Sequence, residues 1–138
     1  MPDLFYGFGY WVVSKACADI LKQFDLGGGA LYPVDVFKKD RKTRVRGEYF
    51  CLNFGNVKRA FLPDKSPKTR DHPVNRRALP FVLSDFDIAL STDSLNGPDI
   101  WIDPLLAYAF FLSGPLGDAL KAAKVSRWFK LKKCQIIE

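Results

Sequence analysis

At 138 residues, with 48 % hydrophobic content and 12 phenylalanines, the chain is the size of one domain and can bury roughly two-thirds of its unfolded surface. No apolar run reaches the ~18 residues that a membrane helix requires, and the opening Leu4 to Ser14 lacks the basic start and small-residue cleavage site of a secretory signal. The net charge of +6 is sharply divided: residues 38–77 hold 13 Lys/Arg against four Asp/Glu, whereas 78–120 hold six aspartates and no Lys or Arg.

The first element is a strand ending at Ser14, which opens a helix over Lys15–Phe24. Cys17, Ile20, Leu21 and Phe24 recur there at i, i+3, i+4, i+7 and form one apolar stripe. Serine starts such a helix by accepting a hydrogen bond from a free backbone N–H, and Gly27-Gly28-Gly29 is read as its stop. That glycine run follows a helix instead of opening one, the wrong polarity for cradling phosphate. Leu31 to Phe37 and Glu48 to Phe54 alternate as strands, joined by the charged connection Lys38–Gly47, a hairpin tip. Asn56 to Leu62 would extend the second strand past a bend.

Pro63 to Pro80 carries four prolines and seven charged residues and, at about 18 residues, exceeds ordinary connections; it is expected to be one long irregular loop. Phe81 to Ser91 reads as a strand, with Phe86, Ile88 and Leu90 alternating against Asp85, Asp87 and Ala89. A turn at Asn96-Gly97-Pro98 leads to a short strand at Ile100–Ile102. Strand Tyr108–Leu112, helix Pro115–Lys124 and strand Arg127–Ile136 complete the chain. The expected fold is α+β: a mostly antiparallel sheet with two short serine-capped helices, forming one domain over residues 1–138.

The chain also repeats a phrase. Ser14, Asp19, Leu21 and Lys22 have counterparts in Ser113, Asp118, Leu120 and Lys121, 99 residues on. Either two strand–helix–strand units pack as a pseudo-symmetric pair, or two capped helices resemble one another by chance.

No constellation names a reaction. Ser14 and Ser113 would need an adjacent base to act as nucleophiles, and the single histidine, His72, lies in the Pro-rich stretch. Cys17, Cys51 and Cys134 are an odd, sparse set without CxxC spacing, read as reduced thiols of a cytoplasmic protein with no metal site. Asp85, Asp87, Asp99 and Asp103 admit a divalent-metal or general-acid reading, or an acidic docking face; on a strand, Asp85 and Asp87 would share one side. The basic segments carry the strongest signal. Lys38, Lys39, Arg41, Lys42, Arg44 and Arg46 crowd the hairpin tip, and Lys58, Arg59, Lys65, Lys68, Arg70, Arg76 and Arg77 follow. They suit solvated loops, an acidic protein partner, or nucleic acid, although no RNA- or DNA-binding signature accompanies them. Trp11, Trp101 and Trp128, with Phe5, Tyr6, Phe8 and Tyr10, are expected to be mostly core, the aromatic opening packing on its own sheet or anchoring a partner.

Val13-Ser14 with its helix, Leu31-Tyr-Pro-Val-Asp-Val36, Glu48-Tyr-Phe-Cys-Leu-Asn53, Pro98-Asp-Ile-Trp-Ile102, Phe110-Phe-Leu-Ser113 and Gly117-Asp-Ala-Leu-Lys121 fall in this order. The series resembles the bacterial immunity-protein family numbered eleven in the polymorphic-toxin classification, from about Val13 to Ile137. The resemblance implies a non-catalytic domain, without cofactor, that binds and neutralises a cognate protein toxin. It supplies no catalytic residues to carry across. On this reading the partner-binding residues are Lys38, Lys39, Arg41, Lys42, Arg44, Arg46, Asp85 and Asp87; the alternative is a nucleic-acid-binding module built on residues 38–77.

Overall fold

The computed structural model describes residues 1–7 and 9–138; Phe8 of the aromatic opening lies outside them. Four strands form the main sheet: β1 (Leu4–Gly7), β2 (Tyr10–Ser14), β3 (Ala30–Val34) and β4 (Tyr49–Asn53), all antiparallel in the order β1-β2-β4-β3. Their register sets Leu4 beside Val13 and Phe50, and Trp11 beside Leu52 and Leu31. Side chains alternate along a strand, so these six residues share one face, and that face is the floor of the first hydrophobic cluster. Pro33, which cannot donate to a ladder, is tolerated because β3 is an edge strand.

Helix α1 (Lys15–Leu21) follows β2 directly and buries Cys17, Ala18 and Leu21 against that floor. It stops earlier than the apolar spacing predicts. The Lys22 N–H bonds Ala18 O, the Gln23 and Phe24 N–H groups make tighter i→i−3 bonds, and the Asp25 N–H is taken by the Asp99 carboxylate. The glycines therefore lie beyond the helix, where they pack against Gly55-Asn56. The Asn56 side chain accepts from Gly28 N–H at 2.8 Å and donates to Leu26 O and Ile100 O at 2.6 and 3.0 Å.

After β4 come β5 (Arg70–His72), β6 (Arg76–Ala78), β7 (Ala89–Ser91), β8 (Ile100–Trp101), β9 (Leu106–Ala107), β10 (Phe111–Leu112), helix α2 (Gly114–Ala122) and β11 (Gln135–Ile137). They make three small ladders: β5-β6-β9, β8 with β10, and β7 with β11. The β8–β10 ladder divides the interior. Ile100 and Leu112, paired across it, belong to the first cluster with Leu116 and Leu120 of α2; Trp101 and Phe111, paired one step away, enter a second cluster with Phe61, Ile88, Leu90 and Leu106. Two residues per strand suffice because each ladder position serves a different core.

The fold is α+β with mostly antiparallel pairing. Five sequence expectations need correction, one of them the strand Tyr108–Leu112: only Phe111–Leu112 pairs, because Tyr108 turns at a left-handed φ of +57°. The Pro63–Pro80 stretch is not one irregular loop: it contains a 3-10 turn at Pro63–Lys65 and the β5–β6 hairpin. It is anchored by Ser66, fully buried, which accepts from Ala89 N–H and donates to Leu62 O. In the segment read as a strand from Phe81, only Ala89–Ser91 pairs, because Phe86 takes a left-handed φ of +69° that breaks the extended run. Arg127–Ile136 starts with a 3-10 turn at Arg127–Phe129 and a left-handed Lys130, and its pairing is confined to β11. Asn56–Leu62 makes only isolated bridges, Val57 to Ile102 and Phe61 to Leu90. The repeated phrase marks two capped helices that pack together. The strands after them join different sheets, β3 beside β4 and β11 beside β7. Among the described residues no helix is long and apolar enough to cross a membrane.

Candidate partner interface

The basic tip is built by one aspartate. Asp40 Oδ1 accepts from the Lys42 and Thr43 N–H groups at 2.8 Å, and Oδ2 accepts from the Thr43 hydroxyl at 2.6 Å. These bonds, the hydroxyl first, hold its carboxyl below the usual aspartate value. Arg41 takes a φ of +61° to close the turn, and Lys38 N–H bonds Thr43 O. Lys38, Lys39, Arg41, Lys42, Arg44 and Arg46 are consequently all exposed along one projecting loop. Arg44 alone of the six has an ion pair among the described residues, to Asp35 at 3.0 Å.

The aspartates behave differently from that group and from one another. Asp85 and Asp87 do not present paired carboxylates on one strand face, because residues 84–87 are a turn. Asp85 is exposed and accepts from Lys133 N–H at 2.8 Å. Asp87 is buried at 7 % exposure; it accepts from Ser84 N–H at 2.8 Å and meets Lys68 Nζ at 3.3 Å. The Ser84 bond, helped by Lys68, holds the Asp87 carboxyl below its ordinary value against the opposing effect of burial. Asp99 accepts from Asp25 N–H. Asp103, 2 % exposed, accepts from Ala60, Phe61 and Leu105 N–H at 3.1, 2.8 and 3.0 Å. Backbone donors thus occupy carboxylate oxygens at all four positions. Among the described residues no group of three His, Cys, Asp or Glu is placed to hold a metal ion.

Both serines are helix caps. Ser14 Oγ accepts from Cys17 N–H and donates to Asp3 at 2.6 Å, and Ser113 Oγ accepts from Leu116 N–H. His72 sits on β5 with its ring edge-on to Tyr108, 5.6 Å away. Cys17, Cys51 and Cys134 are free thiols; burial pushes Cys17 up to about 12 and Cys134 up to about 11, far from the thiolate range of a nucleophile.

Sequence reasoning missed a feature on the side of the second cluster. A groove of about 950 Å³ runs beside the β8–β10 ladder, walled by Trp101, Phe110, Phe86 and Tyr108 and by Lys130, Lys132 and Lys133 of the C-terminal segment. Within its wall the Lys58 ammonium lies 3.7 Å above the Trp101 ring and donates to Ser94 O at 3.0 Å; burial lowers its pKa. Its wall residues Phe86 and Tyr108 fall in segments that sequence reads as strands.

The described residues thus present charged loops and exposed rings on a small α+β scaffold. The chain belongs to the Immunity protein family (Imm11), whose family model matches residues 1–134. No curated protein and no solved structure gives a significant match.

Proposed function

We propose that the protein neutralises a cognate bacterial toxin in the cytoplasm by binding it and covering its active cleft, without catalysis of its own. Membership of an immunity protein family over residues 1–134 carries this reading. The physical mechanism is occlusion by a pre-formed surface, with the loop charges raising the association rate. Lys38, Lys39, Arg41, Lys42, Arg44 and Arg46 would steer an acidic toxin surface, and exposed Asp85 would pair with a single toxin cation at the same interface. Asp87, enclosed by Ser84 and Lys68, acts by holding the turn that presents Asp85.

The test is a pull-down with the tagged chain in its native bacterium, washed at about 1 M salt, where charges are screened within ~3 Å. One stoichiometric protein should survive the wash, arrest growth when expressed alone, and be relieved by co-expression of this chain. Nucleic acid that elutes with salt, with no protein retained, overturns the reading in favour of a nucleic-acid-binding module on residues 38–77.

A further inference from the structure

Four apolar side chains stand almost free of the fold around the β5–β6 hairpin, with a fifth half exposed: Val74 is 88 % exposed, Phe81 87 %, Val82 80 %, Tyr108 86 % and Phe86 54 %. They are spatially linked. Arg70 and His72 are two residues apart on β5 and so project from one side of the strand. The Arg70 guanidinium lies 4.0 Å over the Phe81 ring, and the His72 ring meets Tyr108 at 5.6 Å. Neighbouring positions of one strand thus carry Phe81 and Tyr108. Val74 continues from His72 at the hairpin tip, and Phe86 shares the groove wall with Tyr108.

Three of the five are also held in a backbone conformation that disfavours them. Val74, Phe86 and Tyr108 have φ of +63°, +69° and +57°, a region rarely adopted by β-branched or bulky residues. All three lie at turns: Val74, with Asn75 at φ +56°, closes the β5–β6 hairpin, Phe86 donates its N–H to Lys133 O, and Tyr108 turns the chain between β9 and β10. A turn needs only glycine or asparagine at such positions; these turns carry bulky apolar side chains outward instead, and exposed aromatic clusters of this sort mark interfaces.

Resting on the toxin-binding reading above, we propose that this apolar face is the surface that grips the toxin, and that it docks against an acidic protein surface. The charge around it selects the occupant. Arg70 lies over Phe81, and the groove beside Phe86 and Tyr108 is lined by Lys58, Lys121, Lys130, Lys132 and Lys133 against Asp85, Asp99 and Asp118, so the balance is positive. A second copy of this chain would bring like charges together. Nucleic acid, which would stack on Phe81, Phe86 and Tyr108, is the other occupant that the test distinguishes.

The test places the photocrosslinker p-benzoylphenylalanine at position 81, 108, 37 or 32 of the full chain in the native bacterium. Positions 81 and 108 should give an adduct with one protein that arrests growth when expressed alone. Position 32, an exposed tyrosine on β3, should give none. Against that protein, Phe81→Asp and Tyr108→Asp should each weaken binding by roughly tenfold or more. Tyr108→Gly and Val74→Gly should weaken binding while leaving the melting temperature equal or higher, since glycine relaxes the positive φ. A toxic partner that crosslinks from position 37 but not from 81 or 108 overturns this face and leaves the toxin reading standing. No toxic partner at any position overturns both. A nucleic-acid adduct at 81 or 108 overturns the proposed occupant.

Discussion

Asp103 is the most consequential single side chain in the fold. It is a buried carboxylate answering three backbone N–H groups, two of which, on Ala60 and Phe61, belong to residues nearly inaccessible to water. Asp103→Ala leaves these donors unpaired, so it should cost about 3–5 kcal/mol in urea unfolding, whereas Asp103→Asn, which keeps one acceptor oxygen, should cost less. Asp87 supports a pH experiment. Its folded carboxyl titrates below the unfolded value of about 3.9. Its stabilisation is therefore complete above that value and is lost as pH falls through the depressed folded value. Asp87→Asn should remove part of the acid sensitivity: the difference in urea midpoint between pH 6 and pH 3 should be smaller than in the native chain.

At the scale of elements, the two helices invite a paired comparison. Both start at a serine whose oxygen accepts a backbone N–H, so Ser14→Ala and Ser113→Ala should each destabilise by about 1 kcal/mol in chemical denaturation. Ser14→Ala should cost more, because Ser14 also donates to Asp3 and thereby ties the start of the chain to the end of β2. These caps were legible from sequence because a cap is a local device: one oxygen, one turn, one apolar stripe. The hairpin tip was legible for the same reason, since six cations between two alternating runs leave little but a solvated turn. The strands after residue 54 were not. Their pairing depends on non-local anchors such as Ser66 reaching Ala89 and Asp103 reaching Phe61, which no window of sequence contains. Alternation at Phe86, Ile88 and Leu90 misled because it cannot register a left-handed φ at Phe86. The acidic pair failed with it: once the strand became a turn, Asp87 was turned inward and Asp85 outward. The candidate interface was half legible. Charge announces itself in composition, but exposed aromatics read as core until the fold places them.

At the scale of the whole molecule, charge and apolar contact act on different steps of association. The tip cations are exposed and, Arg44 apart, have no ion pair among the described residues. Their field therefore extends into solvent and, on the proposed reading, would act before contact, on the encounter rate. On the proposed reading, the rings and valines of the β5–β6 side would act only after contact, on how long the complex lasts. The two contributions should separate kinetically. Replacing Lys38, Lys39, Arg41 and Lys42 together by glutamine should slow association with the toxin by about tenfold at low ionic strength, with dissociation nearly unchanged. That difference should vanish near 1 M salt, where the screening length is ~3 Å. Tyr108→Ala should leave association nearly unchanged, speed dissociation, and keep its effect at high salt. Surface plasmon resonance at three salt concentrations measures both. If the tip variant instead dissociates faster and the Tyr108 variant associates normally and holds, the cations themselves form the contact and the division of labour is reversed.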